Sequence, residues 1–157
     1  MVILPFKEWT LTVDREATLT TYTSVANGSA ADCDCSDCKN YLANREIVFP
    51  SMIKSLFNQL GIDYRKESEV WKMYKDEEGL HLYNGIFHFK GSFEGKSCEV
   101  PLPNTNNFTC SMTPIDEHFS LGFRYANDLS YFTNNDNLVQ VEFEVKLPWV
   151  IDKKLES

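Results

Sequence analysis

The chain has 157 residues, with 15 Lys and Arg against 23 Asp and Glu, so its formal net charge is −8. This length suits one domain, whose core needs no disulfide bonds, and 43% hydrophobic and 13% aromatic residues argue against disorder. The negative charge repels phosphate backbones and anionic lipid surfaces, which argues against nucleic-acid and membrane partners. We therefore expect a single domain over residues 1–157.

The first six residues are apolar, but this stretch is too short for the apolar region of a secretory signal. No run approaches the roughly 20 apolar residues of a membrane-spanning helix. We therefore expect a cytoplasmic protein. In that compartment the five cysteines are expected to be free thiols or metal ligands rather than partners in structural disulfides.

The first half of the chain changes its hydrophobic period. Alternating apolar residues from Trp9 and a β-rich run to Thr23 predict one long strand or a hairpin. From Ser36 to Leu60 the period is helical and predicts a helix pair, with Pro50 in the first turn of the second helix. Gly61 is then expected to end that helix in the left-handed conformation.

The second half of the chain is dominated by strand patterns. Residues 69–75, 80–83, 86–93, 119–125 and 139–147 predict strands, and residues 98–117 predict a long loop. Asn84-Gly85 is a strong signal for a two-residue hairpin turn. The order of elements predicts an α+β fold, in which the helix pair covers one face or end of a mainly antiparallel sheet or sandwich.

Three cysteines, Cys33, Cys35 and Cys38, crowd together where the helical pattern begins. Thiolates are good ligands for zinc, iron and copper(I), and the N-terminus of a helix stabilises them. A closed zinc site needs a fourth ligand, however, and the aspartates at positions 32, 34 and 37 raise thiol pKa values by like-charge repulsion. Three alternatives stay open: a metal site with zinc as the first choice, a thiol redox site, or cysteines that only pack.

The Asn84-Gly85 turn would place His81 directly opposite His88, with their Cβ atoms about 5 Å apart. Such a pair binds a metal, shares a proton or lies on a solvated face. If the cysteine helix covers that face, one imidazole completes a Cys₃His site. Cys98 or Cys110 is another source of a fourth ligand, although small buried residues are the simpler interpretation of both. The predicted metal-binding residues are Cys33, Cys35, Cys38, His81 and His88.

Several segments together resemble a family of bacterial proteins that has no assigned activity. The signature C-x-C-x-x-C-x-N-aromatic covers Cys33–Tyr41, and a Leu-Gly-Ile-Asp segment follows at Leu60–Asp63. The G-L-H-x-Y-x-G motif of Gly79–Gly85 continues into His88–Gly91, and Leu147–Trp149 closes the pattern. The resemblance covers most of the chain from Cys33 onward. It implies that the cysteines and the hairpin histidines belong to one shared site.

The sequence contains neither a glycine-rich phosphate loop nor a G-x-S-x-G nucleophile elbow. The leading hypothesis is therefore a non-enzymatic module that binds a protein partner, with the cysteine cluster as a local structural element that holds zinc if it holds a metal. A metal- or thiol-dependent enzyme that uses the cluster with His81 and His88 is the alternative. A β domain that binds a small ligand is the second alternative.

Overall fold

The computed structural model describes every residue from Met1 to Ser157 and shows an α+β fold. The strands are β1 (Val2–Phe6), β2 (Trp9–Val13), β3 (Glu69–Lys75), β4 (His81–Glu94), β5 (Glu99–Pro101), β6 (Phe108–Cys110), β7 (Thr113–Pro114), β8 (Phe119–Arg124) and β9 (Leu138–Leu147). The helices are α1 (Arg15–Thr23), α2 (Ser29–Asp32), α3 (Ser36–Ala43), α4 (Arg45–Val48) and α5 (Ser51–Leu60), followed by a 3-10 turn at Lys153–Leu155. None of these helices is both long and apolar enough to cross a membrane.

The main sheet is antiparallel and is organised around β4, which is 14 residues long. Its strand order is β1-β2-β4-β9-β8-β7. One edge of β4 pairs with β9 along ten residues, and the other edge pairs first with β3 and then with β2. Strands β5 and β6 form a separate two-stranded sheet within the segment expected to be a loop. The predicted α+β class with a mainly antiparallel sheet is confirmed.

The helices cover one face of this sheet, as the sequence predicts for the helical segment between residues 36 and 60. The Phe57 ring of α5 lies 4.9 Å from Phe87 of β4, and Phe49, just before α5, lies 5.2 Å from Phe143 of β9. Gly61 ends α5 with a φ of 86°, the left-handed conformation expected of it. Burial of each such Phe contributes roughly 1.5–3 kcal/mol, so this interface holds the fold together.

The strand expected after Asp14 is instead the helix α1, so that prediction is wrong. Asp14 accepts the backbone N–H of Ala17 at 3.1 Å and caps the helix. Threonine residues suggested a strand here, but their hydroxyl groups donate hydrogen bonds to backbone carbonyls one turn earlier. The Thr18 hydroxyl, for example, donates to the Asp14 carbonyl at 2.9 Å. Such bonds leave the helix intact while satisfying the hydroxyl groups.

Helix α1 lies along the stretch of β4 that neither β2 nor β3 covers. The Tyr22 hydroxyl accepts the backbone N–H of His88 at 2.9 Å, and the Thr18 hydroxyl accepts that of Lys90 at 3.0 Å. Both hydroxyl groups thus replace a missing strand, because buried N–H donors need a partner. This tertiary role explains why the segment overrides its local strand propensity.

The hairpin turn predicted at Asn84-Gly85 is wrong, because β4 runs through both residues without a break. Gly85 pairs with Phe143 of β9, and a Cβ atom on Gly85 would lie 2.4 Å from the Phe143 ring. The glycine therefore makes room for an aromatic side chain instead of forming a turn. Consequently His81 and His88 lie seven residues apart on opposite faces of one strand, separated by about 23 Å at ~3.3 Å per residue.

Candidate metal centre

The cysteine cluster is built by the junction between α2 and α3. Cys35 is the N-cap of α3, and its Sγ atom accepts the backbone N–H of Cys38 at 3.3 Å. The Sγ atom of Cys33 lies 3.2 Å from that of Cys35. The three sulfur atoms lie within 4.8 Å of one another. The close sequence spacing, together with the first turn of a helix, is sufficient to bring them together.

The cluster is open to solvent on one side. Cys35 is exposed, Cys33 is half-buried and Cys38 is buried. The three cysteines line a cleft of about 280 Å³, whose other wall includes Trp71 of β3 and Tyr83 of β4. The Tyr83 hydroxyl donates to the backbone carbonyl of Asp37 at 2.8 Å, which fixes the first turn of α3 against the sheet. A ligand or a metal ion therefore has direct access to the sulfur atoms.

The local environment shifts the pKa values of Cys33 and Cys38 in opposite directions. Hydrogen bonding with the Cys35 backbone N–H, and then with the Cys38 and Cys35 sulfur atoms, favours the thiolate of Cys33 and lowers its pKa. Burial, followed by the proximity of the other two sulfur atoms, raises the pKa of Cys38. Cys33 therefore becomes a thiolate before Cys38 does.

Two of the aspartates expected to repel thiolates have basic partners. Asp34 lies 3.6 Å from the Lys39 ammonium group, and Asp37 lies 3.4 Å from that of Lys72. Each pairing partly offsets the negative charge around the sulfur atoms. The like-charge repulsion that the sequence suggests is therefore weaker in the folded chain.

The two histidines predicted as ligands lie elsewhere. His81 is fully buried, with its Nε2 atom 2.7 Å from a Glu156 carboxylate oxygen and its ring 5.1 Å from that of Trp149. His88 is also fully buried, on the opposite face of β4. Neither imidazole is among the ligand atoms that cluster around the cysteines. The structure therefore brings together Cys33, Cys35 and Cys38, without His81 or His88.

His88 belongs to a buried hydrogen-bond chain that sequence reasoning missed. The Gln140 Nε2 atom donates to Glu142 at 3.1 Å and to Asp128 at 3.3 Å, and its Oε1 atom accepts the Asp128 backbone N–H. The Oε1 atom must therefore also accept a hydrogen bond from the Nε2–H group of His88, 3.1 Å away. This places the His88 proton on Nε2 and leaves Nδ1 to accept the Ser68 hydroxyl at 3.3 Å. Burial lowers the pKa of His88, which keeps the ring neutral.

Cys98 and Cys110 do not join the first cluster as a fourth ligand. They lie near Glu142 in a second group, whose ligand atoms are also within 4.8 Å of one another. Burial raises the pKa of both thiols. The sequence signal for this group is weak, because its three members become neighbours only when β5, β6 and β9 assemble.

The first cluster therefore offers three thiols, of which Cys33 has a lowered pKa and Cys38 a raised one, and it is open to solvent on one side. This arrangement suits a thiophilic metal ion with one exchangeable position, or a reaction between neighbouring thiols. The family resemblance noted from the sequence stays a prediction. No protein-family model, curated protein or solved structure matches this chain.

Proposed function

We propose that this protein is a non-enzymatic zinc-binding module whose metal is held by Cys33, Cys35 and Cys38. The observation that carries the proposal is the convergence of three sulfur atoms within 4.8 Å at the N-terminus of α3. Zn–S bonds of about 2.3 Å in a tetrahedron place the sulfur atoms about 3.8 Å apart. Small rotations of the cysteine side chains are enough to reach that separation.

The fourth coordination position faces the cleft beside Cys35. Asp37 and Glu69 also line this cleft, but Asp37 pairs with Lys72, and a carboxylate oxygen of Glu69 accepts the backbone N–H of Val70 at 3.1 Å. No histidine lines the cleft. Because both carboxylates already have partners, metal binding is favoured over metal-dependent catalysis.

The surface next to the cleft supports the second part of the proposal, a protein partner. Three large apolar side chains of β3 are exposed: Trp71 at 39%, and Met73 and Tyr74 at 54% each. Trp71 also forms part of the cleft wall. A partner that covers β3 would shield these side chains and supply the fourth zinc ligand from its own surface.

A second function, thiol–disulfide exchange, is favoured by two observations. The sulfur atoms of Cys33 and Cys35 lie 3.2 Å apart, and the pKa of Cys33 is lowered. In that reaction the Cys33 thiolate attacks a disulfide of a partner protein and releases one partner thiolate. Cys35 then attacks the mixed disulfide, which leaves this chain oxidised and the partner fully reduced.

Elemental analysis of the tag-free protein, purified under reducing conditions, tests the proposal together with a free-thiol count. We expect Cys35→Ser to bind one zinc ion fewer than the wild type, whereas Ser36→Ala in the same turn keeps the wild-type content. We also expect zinc to protect the clustered thiols from alkylation. Equal zinc content in wild type and Cys35→Ser would refute the metal site. A Cys33–Cys35 disulfide formed on adding an oxidised dithiol would support the second function instead.

A further inference from the structure

A second sulfur-containing cluster lies over β8 and β9, apart from the first cluster beside β3. It consists of Cys98, Cys110 and Glu142, whose ligand atoms lie within 4.8 Å of one another. Cys98 is 2% exposed and Glu142 is 7% exposed, while Cys110 is half-buried. Glu142 alternates along β9 with Val141 and Phe143, which face the core, so the cluster occupies the sheet face opposite the helices.

Strand β8 accommodates Cys98 through a backbone hydrogen bond and a glycine. The N–H of Cys98 donates to the Phe123 carbonyl at 2.9 Å, which places the cysteine directly against β8. A Cβ atom on Gly122 would lie 2.6 Å from the Cys98 Cβ and 3.2 Å from its Sγ atom. Glycine weakens a strand interior, so its presence here is explained by the close approach of the Cys98 side chain, with Met112 also 3.2 Å from that position.

The hairpin of β5 and β6 has almost no apolar anchor of its own. All six of its residues are exposed except the half-buried Cys110. Its other contacts with the sheet run through Arg124, which lies 3.7 Å from Glu99 and 4.8 Å from the Phe108 ring. Arg124 itself is largely buried, but Glu99 and Phe108 are exposed, so each contact contributes on the order of 1 kcal/mol and holds the hairpin only weakly.

The charges around the cluster fit a divalent cation. The Arg124 Nε atom donates to Glu142, and this hydrogen bond orients the carboxylate. Two thiolates and one carboxylate carry three negative charges. Zn²⁺ balances two of them, and the Arg124 guanidinium, which Glu142 shares with Glu99 and Asp128, offsets part of the third. Balance matters here because Cys98 and Glu142 are buried, and unpaired charge is costly in such a site.

We propose that Cys98, Cys110 and Glu142 form a second zinc site, which fastens the β5–β6 hairpin to the sheet. A water molecule on the accessible side of Cys110 supplies the fourth ligand. The role of this site is structural, because the ion joins β9 to both ends of the hairpin. The site shares no residue with the Cys33–Cys38 cluster and stands independently of it.

Zinc stoichiometry of single and combined variants tests this site. We expect two zinc ions in the wild type, one in Cys110→Ser, one in Glu142→Gln and none in Cys35→Ser combined with Cys110→Ser. Glu144→Gln, two residues along the same face of β9, is the matched control and should keep both ions. Amide hydrogen exchange over residues 99–110 should accelerate at least tenfold when a chelator is added, also in the Cys35→Ser background.

Wild-type zinc content in both Cys110→Ser and Glu142→Gln would overturn the second site, as would a Cys98–Cys110 disulfide found by mass spectrometry of the purified protein. Unchanged exchange over residues 99–110 after zinc removal would also contradict it. Loss of one ion in Cys110→Ser but not in Cys35→Ser would retain this site while rejecting the first one. Each of the two proposed zinc sites can therefore be refuted without refuting the other.

Discussion

Gly85→Ala is the substitution that most sharply separates a continuous β4 from a hairpin. The added Cβ atom would lie 2.4 Å from two carbon atoms of the Phe143 ring. That ring is fully buried and packs between Phe49, at 5.2 Å, and Phe119, at 5.8 Å, so it has no room to withdraw. Overpacking of this severity costs about 3 kcal/mol, the upper end of the usual range. For a domain of this size the melting temperature should fall by roughly 6–12 °C.

A double-mutant cycle with Phe143→Leu identifies the cause of the loss. If Gly85 makes room for Phe143, the smaller leucine should recover about 1–2 kcal/mol of the Gly85→Ala penalty in urea unfolding. Gly79→Ala is the control, since Gly79 has a φ of 84° and no atom within 4 Å of an added Cβ. Its cost of roughly 1 kcal/mol should be independent of residue 143. Additive effects of Gly85→Ala and Phe143→Leu, within about 0.5 kcal/mol, would refute the packing explanation.

Three further predictions concern buried donors, pH and thiol reactivity. Tyr22→Phe leaves the His88 backbone N–H without its partner and should cost about 1–3 kcal/mol in urea unfolding; a loss below 0.3 kcal/mol would contradict the role of α1. Because burial lowers the pKa of His88, the unfolded state takes up the proton first as pH falls. Stability should therefore be unaffected by this group above about pH 6.5 and fall below it by up to ~1.4 kcal/mol per pH unit. His88→Gln should flatten this profile, and an unchanged slope would exclude His88 as its source. Since the pKa of Cys33 is lowered, iodoacetamide should modify Cys33 before Cys38 in the metal-free protein, as peptide mass spectrometry will show. Preferential modification of Cys38 would contradict that order.

Local signals predicted much of the fold. The apolar face of α5 and the glycine that ends it are encoded within a dozen residues, and so is the alternation along β8 and β9. The signals that misled were also local. The threonines of α1 and the Asn84-Gly85 dipeptide have strong intrinsic preferences, which packing against β4 and Phe143 overrides.

The candidate sites show the same contrast between local sequence signals and long-range packing. Cys33, Cys35 and Cys38 meet because a cap and the first turn of a helix need no distant partner. The separation of His81 from His88 depends on the pairing of β4 with β9 over ten residues, which no short motif specifies. The grouping of Cys98 with Glu142 likewise depends on the long-range placement of β5 against the sheet.

X-ray absorption spectroscopy of zinc-loaded Cys110→Ser is the sharpest test of zinc binding by Cys33, Cys35 and Cys38, because this variant should retain zinc only at that cluster. We expect three sulfur atoms at about 2.3 Å and one oxygen or nitrogen atom at about 2.0–2.1 Å from the metal. This shell should disappear when Cys35→Ser is added. A zinc shell without sulfur, or a sulfur shell that survives the loss of Cys35, would contradict the three-thiolate site.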